Sequence, residues 1–271
     1  MVAVRGLALE YRRSGGAASE PVRVPAVSGI DCEFRTSAIS AIVGPSGCGK
    51  TSMVQAIAGL LSPSAGEISI DGTVVSGVRP HTAVIFQDFG LLPWRTVQGN
   101  AELPLVLARV GRAERRRRVE SVLRELGLAD FSGFYPAGLS GGMKQRVAIA
   151  RALVSEPDIL LMDEPFSSLD ALTREAAQEF LLQVRRSRPM TIILVTHSIE
   201  EAVYLAETVF VMGGRNPGTL RKRFDIPENR MEGRFADGTV DFRSTPRYLE
   251  LCGSIRAALR QSGGIDDGAT A

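Results

Sequence analysis

The chain has 271 residues, 44% of them hydrophobic, enough to bury the core of one full domain. Its 32 Lys and Arg nearly balance 30 Asp and Glu, and a formal net charge of +2 argues against a nucleic-acid partner. Three scattered cysteines, Cys32, Cys48 and Cys252, argue against a disulfide framework or a thiolate metal site, and no apolar run approaches the ~20 residues that span a bilayer.

At the N-terminus, Arg5, Glu10, Arg12 and Arg13 break the sequence too early for a secretory apolar stretch. The expectation is a soluble, cytoplasmic chain that reaches a membrane only by docking onto another protein. Ser14-Gly15-Gly16 reads as a turn shortly after Tyr11. Ser40–Val43 is a short buried strand, followed by a helix from Gly49. Gly66–Gly72 alternates as a strand ending in an Asp-Gly turn, which suggests an antiparallel layer beside the main sheet. Thr82–Phe86 is a further strand, and from Pro93 to about Gly138 the pattern is helical. The stripe Val119, Val122, Leu123 and Leu126 has helical period, and Arg115–Arg118 beside Glu114 and Glu120 reads as its solvated face.

Farther along, helices are expected from Gly142, Ala171 and Ser198, with buried strands at Asp158–Met162 and Thr191–Thr196. Short apolar runs alternating with helices predict an α/β fold with a mainly parallel sheet. After Gly213-Gly214 the sequence is polar and irregular to about Phe242. It then closes in a helix striped by Tyr248, Leu251, Cys252, Ile255 and Leu259, and a frayed tail from Gly263 to Ala271. The expected division is a domain over 1–215, with a helical subdomain inserted at about 93–155, and an extension over 216–271.

Gly44-Pro45-Ser46-Gly47-Cys48-Gly49-Lys50-Thr51 fulfils the phosphate-loop pattern between a strand and a helix. Glycines let backbone N–H groups turn in around a phosphate, and the helix start, running into Ser52, adds partial positive charge. Lys50 is expected to reach the β- and γ-phosphates of ATP, and Thr51 to place its hydroxyl on Mg²⁺. Cys48 sits at an unconstrained position of the loop and reads as a tolerated residue; the alternative is a thiol whose pKa the nearby helix N-terminus lowers, with some sensitivity to alkylation. Ile159–Met162 delivers Asp163 and Glu164 to a strand end, Asp163 for Mg²⁺ and Glu164 to take a proton from the attacking water. Alone, such an acidic pair is as well an exposed turn.

Leu139-Ser140-Gly141-Gly142-Met143 precedes another helix and forms a second anion nest, unless it is an ordinary capped helix start. One nucleotide needs one cradle, so the second points to a neighbouring copy. These residues resemble the signature motif of the ABC ATPases, with Met143 where that family usually has Gln. The resemblance implies a P-loop NTPase core with an antiparallel β layer and a helical subdomain, acting as a nucleotide-sandwich dimer. It implies that Ser140, Gly141 and Gly142 contact the neighbour's ATP. It makes Gln87 the Q-loop glutamine, touching Mg²⁺ and water and sensing a transmembrane partner. Ser168-Leu169-Asp170 resembles the D-loop at the dimer interface, with Asp170 also a plain N-cap candidate, and His197 resembles the switch histidine. Tyr11 stands where the family stacks an aromatic on adenine, and a packing tyrosine fits there too.

Gln87-Asp88-Phe89-Gly90-Leu91-Leu92-Pro93-Trp94, Tyr135-Pro136 and Phe166–Arg174 look like the nitrate/sulfonate/taurine importer group. That resemblance implies transmembrane permease subunits, an indirect solute-binding partner, and a peripheral place on the cytoplasmic face of the inner membrane. Trp94 would anchor the permease, or pack within the helical lobe. The alternative function is a soluble ABC ATPase serving as an assembly or regulatory switch.

Overall fold

The computed structural model describes residues 1–13, 22–215, 217–227 and 242–262. The chain divides into two compact units, Met1–Val78 with Thr191–Ala271, and Arg79–Met190. The expected turn at Ser14-Gly15-Gly16 and the tail from Gly263 lie outside the described residues.

The first unit holds an antiparallel sheet of β1 (Val2–Arg13), β2 (Val22–Phe34), β4 (Ala65–Ile70) and β5 (Thr73–Val74), ordered β2-β1-β4-β5. Asp71 and Gly72 both take positive φ, 48° and 79°, giving the tight turn expected between β4 and β5. Beside it run β3 (Ile39–Val43), β8 (Thr191–Thr196), β9 (Thr208–Gly213) and β10 (Thr219–Asp225), in the order β10-β9-β3-β8. β3 is parallel to both neighbours and β10 antiparallel to β9. Every residue of β3, β8 and β9 is buried, as in strands covered on both faces.

Strand β10 corrects the reading of the stretch after Gly214 as irregular throughout. Arg221, Lys222 and Arg223 mask its pattern because it is partly exposed and paired along β9. Helices α1 (Lys50–Ile57), α7 (Ile199–Leu205) and α8 (Pro246–Ser262) complete this unit. Tyr248, Leu251, Cys252, Ile255 and Ala258 of α8 are buried. Leu259 of the expected stripe is half-buried, since Ala258 takes the inner position. The Tyr248 hydroxyl donates to the Glu200 carbonyl at 3.0 Å, Arg256 pairs with the Glu200 carboxylate at 2.6 Å, and Arg243 lies 3.7 Å over the Tyr204 ring.

The second unit holds β6 (Thr82–Ile85) parallel to β7 (Ile159–Asp163), with α2 (Val97–Ala101), α3 (Leu103–Leu107), α4 (Arg112–Glu125), α5 (Gly141–Leu153) and α6 (Ala171–Ser187). Val119, Val122 and Leu123 form the buried stripe of α4. Its basic run is a solvated face: Arg117 and Arg118 bond Glu114, and Arg116 bonds Glu120. Element starts fall within a residue of expectation, at Lys50, Gly141 and Ile199 rather than Gly49, Gly142 and Ser198: Gly49 and Ser198 are the N-caps of their helices, and Gly142 lies in the first turn of α5, which Ser140 caps.

Candidate functional site

In the first unit, β3 ends at Val43 and the phosphate loop runs from Gly44 into α1. Gly49 has φ 90°, and a Cβ there would lie 2.2 Å from Val27 Cγ1, so both backbone and space demand glycine. Lys50 is buried, and its Nζ donates to the carbonyls of Gly44 and Pro45 at 2.9 and 3.0 Å. An ammonium is thereby fixed beside a helix start, an arrangement made for an anion. Ser46, Gly47 and Thr51 are exposed, while Ser52 is buried under Tyr11, its Oγ 2.9 Å from the phenol oxygen. Tyr11 is exposed and, bonded to Ser52, stands at the rim of this loop.

Parallel pairing of β3 with β8 sets Val43 opposite Thr196. The phosphate loop and His197 therefore leave neighbouring strands at the same edge, the carboxyl end where open α/β sheets bind ligands. His197 is exposed, and Ser198 behind it caps α7 by accepting from the Glu201 N–H at 3.1 Å.

The second unit repeats this arrangement. Ile85 pairs with Met162, so Gln87 and the Asp163-Glu164 pair leave adjacent strands at one edge. Asp163 is buried at 8% exposure. Glu164 has φ 48°, a left-handed conformation that a non-glycine residue holds only when its surroundings enforce it. Ser167 supplies that constraint: its hydroxyl donates to the Glu164 carbonyl at 2.9 Å and its N–H at 3.3 Å.

Ser140 caps α5, its Oγ accepting from the Met143 N–H at 3.3 Å, and it stays exposed. A Cβ on Gly141 would lie 2.9 Å from Leu169 Cδ2, and one on Gly142 2.9 Å from Thr173 Cγ2. The second anion nest is therefore closed against the Ser168-Leu169-Asp170 segment. Asp170 caps α6 by accepting from the Thr173 N–H at 3.0 Å, which holds its carboxyl below the ordinary range. Arg174 ties the same turn by donating to the carbonyls of Leu169 and Phe166.

Cys48 does not follow the low-pKa alternative. The thiol is wholly buried, and burial raises its pKa, with Lys50 pulling the other way. Desolvation outweighs the helix start because Gly44 and Gly218 close on this residue, with Met212 packed against Gly44. Trp94 does not pack within the helical unit: it is 71% exposed.

Two positioning residues escaped the sequence. Asn100 is completely buried and accepts the Leu92 N–H at 2.8 Å, while its amide nitrogen lies 3.0–3.1 Å from the carbonyls of Leu92, Arg95 and Thr96. It thereby bolts down the loop that carries Trp94. Gly218 abuts the Cys48 carbonyl from the far side of the chain. Asn100 had a faint signal, a polar residue between the apolar positions Val97 and Ala101, whereas Gly218 had none.

The chain matches the family model described as ABC transporter over residues 27–167. It is 47% identical over 223 residues to the taurine import ATP-binding protein of Rhizobium johnstonii, covering 81% of this chain and 83% of that protein. The taurine import ATP-binding protein of Yersinia pestis is 41% identical over 251 residues, 92% of this chain and 93% of its own. Among solved structures, the ATP-binding cassette MJ0796, in a dimeric post-hydrolysis state bound to ADP and Pi, superposes with a TM-score of 0.70 at 30% identity. That match covers 84% of this chain and 99% of MJ0796.

Proposed function

The chain belongs to the ABC transporter family, and from that premise we propose that it is the ATPase subunit of a bacterial importer for a taurine-type sulfonate. The substrate class is supported by the names of its relatives, which are taurine import ATP-binding proteins. Among the described residues no helix is long and apolar enough to cross a membrane. The proposed place of action is the cytoplasmic face of the cell membrane, docked on permease subunits that a solute-binding protein feeds. The exposed loop at Trp94 supplies the docking surface.

The observation that carries the reading is the pair of anion-binding helix starts, Lys50–Thr51 in one unit and Ser140–Gly142 in the other. Two copies head to tail then set the Ser140–Gly142 segment of each chain against the ATP held by the other. Bound ATP would bring the phosphoanhydride, and Mg²⁺ bound with it would supply counter-charge to the phosphates. Among the described residues no group of three or more His, Cys, Asp and Glu is arranged to hold a metal alone. Mg²⁺ needs only one or two protein ligands when phosphates provide the rest, and Thr51, Gln87 and Asp163 are the residues proposed to hold it.

Lys50 neutralises phosphate charge at the centre of the loop, and Gln87 orients the attacking water. Glu164 accepts that water's proton, aimed by the constrained backbone described above. His197 donates to the γ-phosphate, and Tyr11 borders the adenine. Closure driven by γ-phosphate contacts and opening after hydrolysis give the differential affinity that coupling requires.

Glu164→Gln should trap the closed state. With ATP it is expected to sediment as a dimer, and a monomer at saturating ATP would sink the sandwich reading. In vesicles containing the cognate permease, taurine uptake should require ATP and this chain.

A further inference from the structure

Gln87 sits in a turn whose shape is unusual. The Phe89 N–H closes on the Phe86 carbonyl at 2.9 Å, and the Asp88 carboxylate accepts from the Gly90 N–H at 3.1 Å. Phe89 and Gly90 both take positive φ, 63° and 54°. For Phe89 that conformation is strained, because it brings Cβ close to the following carbonyl oxygen. Something outside the turn has to hold it.

That holder comes from the far end of α5. Arg151 lies in its last turn, about 15 Å along the axis from Gly141 at 1.5 Å per residue. Its Nη1 donates to the Gly90 carbonyl and its Nη2 to the Phe89 carbonyl, both at 2.6 Å. The left-handed pair of residues is what turns two successive carbonyls toward one guanidinium. The fork geometry of arginine matches both, where an ammonium is a single point charge. The group is partly desolvated, since burial lowers its pKa while nearby Asp88 raises it.

The same helix begins at the Ser140–Gly142 nest. One rigid strut therefore carries the donor segment for the neighbour's nucleotide at its start. Its end grips the turn that presents Gln87. We propose that Arg151 is a positioning residue that fixes the Gln87 turn to α5, so that Gln87 is held in its catalytic orientation and moves with Ser140–Gly142 as one body. This rests on the reading of Gln87 as the residue that orients the attacking water.

The test uses the full chain with Arg151→Met, Arg151→Lys, Gln87→Ala and the Arg151→Met/Gln87→Ala double variant. Hydrogen exchange followed by mass spectrometry should show the 88–92 amides of Arg151→Met exchanging at least about tenfold faster, with β3 and β9 unchanged. Arg151→Lys, which keeps a donor but not the fork, should fall between. In steady-state ATPase assays, Arg151→Met should lose about tenfold in kcat with KM for ATP within about twofold. The double variant should be no slower than Gln87→Ala alone.

Unchanged exchange over 88–92 overturns the proposal, as does faster exchange throughout the chain, which marks a merely structural role. Fully additive kcat losses overturn it too, because Arg151 would then act without Gln87. A normal kcat in Gln87→Ala sinks the reading of Gln87 and the proposal with it. The exchange data separate that result from a failure of the Arg151 grip.

Discussion

Gly218 lies against Cys48 so closely that a Cβ on Gly218 would be 1.9 Å from the Cys48 carbonyl oxygen and 2.7 Å from its carbon. No side chain fits there without displacing the phosphate loop. Two hydrogen bonds lock the approach, from the Gly218 N–H to the Ala26 carbonyl at 2.9 Å and from the Ser28 N–H to the Gly218 carbonyl at 3.0 Å. Gly218→Ala is therefore expected to weaken ATP binding by about tenfold or more, read with a fluorescent ATP analogue. Gly253→Ala is the control: it sits in α8 with open space around it and should leave affinity unchanged while stabilising by roughly 0.5–1 kcal/mol. Equal affinity in both variants would refute the contact.

Cys48 should resist alkylation in spite of its place in the loop. All three cysteines are buried, and the raised pKa of Cys48 keeps it as the unreactive thiol to higher pH than an ordinary cysteine. Maleimide counted by mass spectrometry at pH 7.5 should add nothing to the folded chain over minutes and three groups after denaturation. Rapid native labelling at Cys48 would contradict the buried geometry.

The same residue marks how far the sequence could be read. The phosphate loop, the Asp163-Glu164 strand end and the Ser140 nest were legible as local patterns because each is a run of adjacent residues at the end of a strand or the start of a helix. His197 and Gln87 were legible as strand ends. What closes around Cys48 was not, because Gly44, Met212 and Gly218 meet only in the fold, and helix proximity alone gave the wrong sign for the thiol. Strand β10 was hidden by the charges of Arg221, Lys222 and Arg223. Arg151 was visible as a helix residue, yet nothing local tied it to Phe89 and Gly90.

Asp158 carries a pH signature. Its hydrogen bonds from Arg79, at 2.5 and 2.6 Å, hold the carboxyl below its ordinary 3.8. The stabilisation is therefore present above the unfolded pKa and lost as pH falls through the lower folded one. Asp158→Asn should reduce stability at pH 7 by under about 1 kcal/mol, because the pair is partly exposed. The gap should close below pH ~4 in urea titrations. A gap unchanged down to pH 3 would rule this origin out.

The closing helix α8 is part of the monomer's core. Ile255→Ala, at a fully buried position, should cost about 2–5 kcal/mol in nucleotide-free protein. Tyr248→Phe, which removes the bond to the Glu200 carbonyl, should cost about 1 kcal/mol. Calorimetry showing no loss in the monomer would assign α8 to an intermolecular role instead.

Trp94→Ala should weaken co-purification with a permease while leaving ATP affinity of the isolated chain unchanged, since its ring is exposed and the Asn100 amide, not the indole, shapes its loop. Undiminished co-purification would move the docking surface elsewhere.

Trp94 is also the chain's sole tryptophan. Emission excited selectively from indole thus comes from one point, on a loop pinned by Asn100 and a few residues from the Arg151 grip. Capture of that ring by an apolar partner removes it from water, so its emission should shift to the blue as docking proceeds. The protein carries a native, label-free gauge of its own engagement, at the spot where coupling between ATP hydrolysis and transport would begin.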